Sequence, residues 1–218
     1  VYAASSSCYG AHPPVPTTED APIDTGHPYA LSKYLGEQAV FHWARVYGLE
    51  VNSLRLFTAY GPRMRKSDAL GPVLNIFLAQ KAHGVPLTIV GDGTQGRDFV
   101  HARDVAAAFH LAAVTPLHGR IWNVGSGRTQ TIDHIADLIG GPTVRIPERH
   151  GDPHTARADI TRIVLDLHWW PWVSFEEGLA ELLADTNAWR DAPVWLPDVM
   201  VRETAQWQAL LGGAAREG

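Results

Sequence analysis

Three side chains of this 218-residue chain have the types and spacing to do chemistry together: the Ser5 hydroxyl, the Tyr29 phenol and the Lys33 ammonium. Tyr29 and Lys33 are four residues apart, and four residues on a helix return to one face. A phenol is a poor base at neutral pH, since it ordinarily titrates at about 10. An ammonium ~4 Å away in an effective dielectric of ~20 favours the phenolate by roughly 4 kcal/mol. That moves a phenol toward what a general base needs. A serine at the carboxyl end of a parallel strand stands where such sheets place ligands, and can relay a substrate proton to the phenol. By itself Y-x-x-x-K is a weak signal, because a surface tyrosine packed on a lysine stem gives the same pattern.

The elements that must position these groups are legible in outline. Val1 to Ser7 opens as a buried strand that ends in a polar tip. Pro28 suits a first helical turn, and the pattern predicts a helix from Pro28 to Tyr47 that stops at Gly48. Strands are expected at 51–57, 87–90, 97–100, 121–124 and 143–146. Helices are expected at 72–83, 104–113 and 131–139, and a Ser174-Phe175-Glu176-Glu177 capping box starts another that runs to Trp189. Strands alternating with helices predict an α/β fold with a parallel sheet.

Composition narrows the function. Lys plus Arg is 18 and Asp plus Glu is 23, a net charge of −5, which argues against nucleic-acid or anionic-membrane binding by bulk charge. No apolar run approaches a membrane span. A single cysteine, Cys8, excludes an internal disulfide framework and fits a reducing, cytoplasmic setting. The histidines around His150-Gly151-Asp152-Pro153-His154 lack metal-ligand spacing, so no metal site is expected. Trp169, Trp170 and Trp172 are expected to pack under the last helix, and Cys8 to be a small buried side chain.

Longer motifs make the pattern specific. Ser5-Ser6-Ser7-Cys8-Tyr9-Gly10, Pro28-Tyr29-Ala30-Leu31-Ser32-Lys33 and Leu54-Arg55-Leu56-Phe57-Thr58-Ala59-Tyr60-Gly61-Pro62-Arg63 come first in order. Gly91-Asp92-Gly93, Arg97-Asp98-Phe99-Val100-His101, Asn123-Val124-Gly125-Ser126-Gly127 and Arg149-His150-Gly151-Asp152 follow. In this order they resemble the extended short-chain dehydrogenase/reductase family, the nucleotide-sugar epimerases and dehydratases. The resemblance implies the C-terminal part of a Rossmann-type doubly wound parallel sheet plus a smaller α/β substrate-binding domain. Residues 1–62 and 102–126 would be the back half of the NAD-binding domain, and 63–101 and 127–218 the nucleotide-sugar-binding domain. The family's glycine-rich pyrophosphate loop belongs to an N-terminal portion that is expected to precede this chain. Gly91-Asp92-Gly93-Thr94-Gln95-Gly96 matches G-x-G-x-x-G literally. An extended segment should follow it, however, where a phosphate loop needs a helix N-terminus, so it is read as a turn.

Carried over position by position, the resemblance makes Tyr29 the general base, Lys33 the holder of the cofactor ribose hydroxyls and Ser5 the bridge to the sugar hydroxyl. Phe57 would lie near the nicotinamide, Thr58 would contact the sugar nucleotide, and Arg97 and Arg149 would clamp the diphosphate. Leu87 and Val90 would line the nucleobase pocket. The implied cofactor is NAD, with NADP not distinguished, and the implied partner is a nucleotide-diphosphate sugar. A homodimer through the Tyr29 helix is also implied, as is a place in cell-surface polysaccharide synthesis. The family's dehydratases carry acids where this chain has Ser6 and Ser7, so epimerisation at C4 is expected. Dehydration, reduction, or non-catalytic binding of a nucleotide sugar are the alternatives.

Overall fold

Why the chain turns where it does is clearest at its first long helix. A computed structural model describes residues 1–66, 72–148, 154–203 and 205. Strand β1 (Tyr2–Ser5) runs into a single 3-10 turn at Ser6–Tyr9, and helix α1 (Pro28–Tyr47) follows a proline-rich loop. His27 caps α1 through its side chain, Pro28 fills the first turn, and Gly48 ends the helix at φ 66°. That left-handed conformation suits glycine.

Beyond α1 come β2 (Ser53–Leu56), β3 (Thr58–Tyr60), α2 (Val73–His83), β4 (Leu87–Val90), β5 (Gly96–Arg97) and β6 (Phe99–His101). Next are α3 (Ala102–Val114), β7 (Ile121–Val124), β8 (Gln130–Thr131), α4 (Ile132–Ile139) and β9 (Thr143–Ile146). Helices α5 (Thr161–Leu167) and α6 (Phe175–Ala184) and a 3-10 turn at Thr186–Trp189 complete the described elements. The α/β class and the parallel pairing agree with the sequence pattern.

The chain divides into two compact units. The first comprises Val1–Tyr60, Gly96–Thr129 and Pro153–Phe175. Its sheet has the order β1-β2-β7, all parallel, with Ser5 opposite Leu56 and Leu56 opposite Val124. The carboxyl ends of three strands therefore lie side by side at Ser5, Leu56 and Val124, and β3 pairs with β6, also in parallel. Leu54, Val100, Ala108, Trp122, Val124, Ile163 and Trp169 fill the core under this sheet.

The second unit comprises Gly61–Gln95, Gln130–Asp152 and Glu176–Gly218. Here β4 pairs in parallel with β9, and α2 is buried along Leu74–Gln80. Gln80 ties α2 to β4: its amide nitrogen donates to Thr88 Oγ1 at 2.8 Å and its carbonyl accepts from Thr88 N at 2.9 Å.

Four expectations need correction. The strand expected over 51–57 is two strands, because the chain leaves the β1-β2-β7 sheet at Phe57 to pair Thr58 with Phe99. The last predicted helix stops at Ala184, where the Asp185 side chain accepts from Ala188 N and holds a 3-10 turn instead. Short polar side chains of this kind compete with helical hydrogen bonding. The opening strand ends at Ser5, so Cys8 lies in a turn and the alternation of a strand does not govern its direction. It is nevertheless buried, beside Tyr9, Phe57 and Ala158. Finally, only Trp169 of the tryptophan cluster is buried; Trp170 is 41% and Trp172 74% exposed. Helix α5 was not anticipated, since its seven residues are too few to show a period.

Candidate active site

Tyr29 and Lys33 sit one turn apart near the start of α1, and Tyr29 is 55% exposed. The Lys33 ammonium lies 6.0 Å from the centroid of the Tyr29 ring. It also donates to the main-chain carbonyl of Ala3 at 3.2 Å. Ala3 is two residues before Ser5 on β1, so Lys33 connects the helix that carries the phenol to the strand that ends in the hydroxyl. Tyr2 makes a second connection, donating from its hydroxyl to the Lys33 carbonyl at 3.2 Å. Gly36 permits this approach: a Cβ there would overlap the Tyr2 hydroxyl and lie 2.8 Å from its Cζ.

Ser5 is extended, at φ −144° and ψ 142°, and caps the turn that follows it. Its Oγ accepts from Ser7 N at 3.2 Å and from Ser7 Oγ at 2.9 Å. As an acceptor of two bonds, that oxygen still has its own proton to donate. Phe57 follows directly after β2 and is buried with Tyr9 and Cys8. Thr58 is half-buried at the start of β3, its N–H donating to Asp98 O at 2.9 Å.

The remaining expected residues are distributed as follows. Arg97 lies in the first unit, with one guanidinium nitrogen donating to Gly96 O at 3.0 Å. Leu87 and Val90 lie in the second unit, at the two ends of β4. They are three positions apart, so they face opposite sides of that strand. Leu87 is buried and Val90 half-buried. Arg149 lies outside the described residues. The Gly91–Gly96 run is a turn: Asp92 accepts from Thr94, Gly93 O accepts from Asp133 N at 3.0 Å, and strand β5 follows.

Beneath these residues runs a buried polar network to which sequence reasoning assigned no role. Glu37, one turn after Lys33, accepts from Arg55 Nη2 at 2.6 Å, Arg55 Nε at 3.1 Å and Ser53 Oγ at 2.7 Å. Arg55 Nη1 donates to Tyr9 OH at 3.0 Å and to Glu19 O at 3.1 Å. Tyr9 OH donates to Asn123 Oδ1 at 2.7 Å, and Asn123 N donates to Glu19 Oε1 at 2.8 Å. Burial raises the Tyr9 phenol despite Arg55 beside it. Burial also pulls the Arg55 guanidinium down, but Glu37 and Tyr9 outweigh it and the net direction is up. A signal for this network was available. An arginine between two leucines in a buried strand demands a carboxylate partner.

Asp98 plays the same part for the loop after β7. Fully buried, its carboxylate accepts from Ser126 N, Ser126 Oγ, Gly127 N and Ala158 N at 2.6–3.0 Å. Burial pushes its carboxyl up and those donors oppose it.

The donor set at α1 fits half of a nicotinamide dinucleotide. Lys33 uses one of its three protons on Ala3, which leaves two for a vicinal diol such as ribose hydroxyls. The phenol beside it is exposed, with its hydroxyl outside the buried network.

The family of the chain follows from comparison with known proteins. Residues 1–125 match the model of the NAD dependent epimerase/dehydratase family. The chain is 35% identical over 184 residues to a UDP-glucose 4-epimerase of Mycolicibacterium smegmatis, covering 82% of this chain and 58% of that protein. It superposes on the UDP-glucose 4-epimerase of Thermotoga maritima, solved with UDP-glucose, with a TM-score of 0.77 and 32% identity, covering 85% of this chain and 62% of that one. The UDP-glucuronic acid 4-epimerase of Bacillus cereus, solved with UDP-glucuronic acid and NAD, gives a TM-score of 0.77 at 28% identity over 85% of this chain and 60% of that one. More distant relatives include a dehydratase and a decarboxylase of nucleotide sugars. The chain thus spans about three-fifths of the length of the proteins it matches, and both its motifs and its Rossmann-type parallel sheet place it in the NAD-dependent epimerase/dehydratase family.

Proposed function

We propose that the protein bearing this chain epimerises a nucleotide-diphosphate sugar at C4, and that Tyr29 carries the proton. The observation that carries the reading is the exposed Tyr29 ring with the Lys33 ammonium 6.0 Å from its centroid, on a helix whose lysine is bonded to the strand that ends in Ser5. NAD, when bound, supplies a reversible acceptor for hydride. Tyr29 takes the proton of the C4 hydroxyl as the carbon is oxidised, and returns it after the 4-keto sugar has turned over in the site. Lys33 holds ribose hydroxyls with its two remaining protons. Ser5 donates to the sugar oxygen. Phe57 borders the nicotinamide, Thr58 contacts the sugar, Arg97 and Arg149 hold the diphosphate, and Val90 borders the base, Leu87 lying buried on the other side of β4.

Two features favour epimerisation over elimination. The end of β1 and the turn after it carry Ser5, Ser6 and Ser7 with no carboxylate, so the acid–base pair that elimination across C5 and C6 requires is not supplied there. Ser7 instead bonds to Ser5. The Rossmann half would be residues 1–62 and 102–126, and the sugar-nucleotide half 63–101 and 127–218.

The proposal includes a homodimer. Leu31, Leu35, Trp43 and Val46 are exposed on α1. At ~100° per residue they fall within about a third of the helix circumference. Lys33 and Glu37 lie on the other side. Such a stripe suits pairing with the same helix of a second copy. Among the described residues no helix is long and apolar enough to cross a membrane, and a cytoplasmic site is proposed.

The test is direct. The protein as encoded, with any natural sequence that adjoins these residues, is incubated with NAD and UDP-glucose, UDP-galactose or UDP-glucuronate. Interconversion of C4 epimers without net reduction of NAD supports the reading. Formation of a 4-keto-6-deoxy product, or no turnover of any nucleotide sugar, overturns it.

A further inference from the structure

We propose that His27 is a positioning residue for Tyr29, holding the phenol in its reactive orientation by stacking beside it from the N-cap of α1. The inference rests on the reading of Tyr29 as the proton carrier.

The cap position is an unusual place for histidine. Ser, Thr, Asp and Asn are the residues that favour it, because a short oxygen-bearing side chain reaches the free N–H groups of the first turn. His27 does the same work with a ring: in extended conformation at φ −137° and ψ 156°, its Nδ1 accepts from Ala30 N at 3.3 Å. An accepting Nδ1 carries no proton, so this bond selects the imidazole with its proton on Nε2 and fixes the plane of the ring.

The plane so fixed is that of its neighbour. The His27 and Tyr29 rings are 4° from parallel, with centroids 6.3 Å apart, an offset stack. Tyr29 is otherwise open to solvent over half its surface, with the ammonium of Lys33 at 6.0 Å from its ring centroid. Proline between the two rings locks the backbone torsion at residue 28, so the His27 ring has little freedom to drift from the phenol. A phenol that must take a proton from one oxygen and return it gains from a restricted ring, since proton transfer depends on reach and direction. Sequences that depart from local preference do so most often at functional sites. Here a helix start gives up a better cap and acquires a flanking ring.

Cap and stack separate by substitution in the protein as encoded. His27→Ser keeps an acceptor at the cap and removes the ring; His27→Phe keeps the ring and removes the acceptor. For His27→Ser we expect an unchanged or raised Tm with kcat for epimerisation reduced about tenfold and KM within about twofold. For His27→Phe we expect a lower Tm and recovery of part of that kcat loss, since the proline still keeps a ring beside the phenol while the bond that fixes its plane is gone. A His27→Ser enzyme with wild-type kcat overturns the proposal, as does a His27→Phe enzyme, measured while folded, that loses as much as His27→Ser. A wild-type protein that turns over no nucleotide sugar defeats the functional reading alone. The stack is then read by NMR of protein labelled with ¹³C-tyrosine, the Tyr29 signal being assigned from its loss in Tyr29→Phe. Ring-to-ring contacts from His27 and a Tyr29 shift that changes in His27→Ser support positioning; a Tyr29 signal identical in the two proteins overturns it.

Discussion

Glu37 and Arg55 close a bidentate ion pair in the interior: Oε1 meets Nη2 at 2.6 Å and Oε2 meets Nε at 3.1 Å, with the side chains 1% and 4% exposed. Glu37 is the inward-facing residue one turn beyond Lys33, and Arg55 is the middle of β2. The pair therefore sets the height and rotation of α1 on the sheet, and with them the positions of Lys33 and Tyr29. Arg55 passes the constraint on to Tyr9, whose ring it also faces at 5.0 Å.

Removing both partners should cost less than the two single removals added together. Glu37→Leu leaves a guanidinium buried without its carboxylate, and Arg55→Leu does the converse. Each should lower stability by about 3–5 kcal/mol. The double variant Glu37→Leu, Arg55→Leu should fall short of the sum of the two by about 2 kcal/mol. Urea unfolding of the four proteins measures the coupling, and simple additivity would show that the pair is energetically idle.

Tyr29→Phe should behave in the opposite way, changing chemistry without changing the fold. Its ring is half exposed and its hydroxyl is no part of the buried network. The expected loss in kcat is about 10²–10⁴-fold, with the unfolding free energy altered by less than about 0.5 kcal/mol. Turnover assays beside thermal melts check both halves. A variant that retains turnover removes Tyr29 from the mechanism.

How far the sequence disclosed this arrangement depended on the range of the interaction. Helix α1 was legible to the residue because its signals are local: Pro28 at one end and Gly48 at the other. So were β4, β7 and β9, short apolar runs between turn residues. The split at Phe57 was not, because the chain changes strand partners there without any turn residue, and the new partner at Phe99 lies more than forty positions away. The Tyr29–Lys33 spacing is visible on paper. Glu37 does not stand out in the sequence because a glutamate on a helix is usually solvated, and only its partner on β2 reveals otherwise. Trp170 and Trp172 misled for the reverse reason. Aromatic residues predict burial, yet the Asp104 carboxylate holds the loop by accepting from Trp172 N and Val173 N, each at 3.1 Å, and both rings stay outside.

Gly36→Ala should reverse the usual sign of a helix substitution. At an exposed helical site the change gains about 1 kcal/mol. At Gly36 the new methyl group meets the Tyr2 ring and displaces a hydroxyl bonded to the Lys33 carbonyl. A net loss of about 1–3 kcal/mol is expected. Repeating the change in a Tyr2→Ala background should restore the gain. Chemical denaturation of the two pairs decides, and a stabilised Gly36→Ala in the wild-type background would refute the close approach.

Cys8 gives the chain a predictable alkaline limit. It is 2% exposed, and burial pushes its thiol up to about 11, with Arg55 opposing. An unfolded thiol titrates at about 8.5. The folded state therefore holds the proton more tightly than the unfolded state does. The stability this group contributes is complete below the unfolded value and is lost as pH rises through the folded one. Unfolding free energy should decline from about pH 8.5 toward pH 11, by an amount on the order of 3 kcal/mol from this residue. Tyr9, also raised by burial, adds its own decline above about pH 10, where free phenols begin to ionise. The interval from about pH 8.5 to 10 thus isolates the thiol, and Cys8→Ala should flatten the profile there while leaving the steeper fall above it. As the chain's single cysteine, Cys8 can also be followed by iodoacetamide at pH 8. Modification should track global unfolding, speeding with urea in proportion to the unfolded fraction. Rapid alkylation of the folded protein, or a Cys8→Ala profile that superposes on wild type between those pH values, would show that the thiol is not held in the interior as the structure has it.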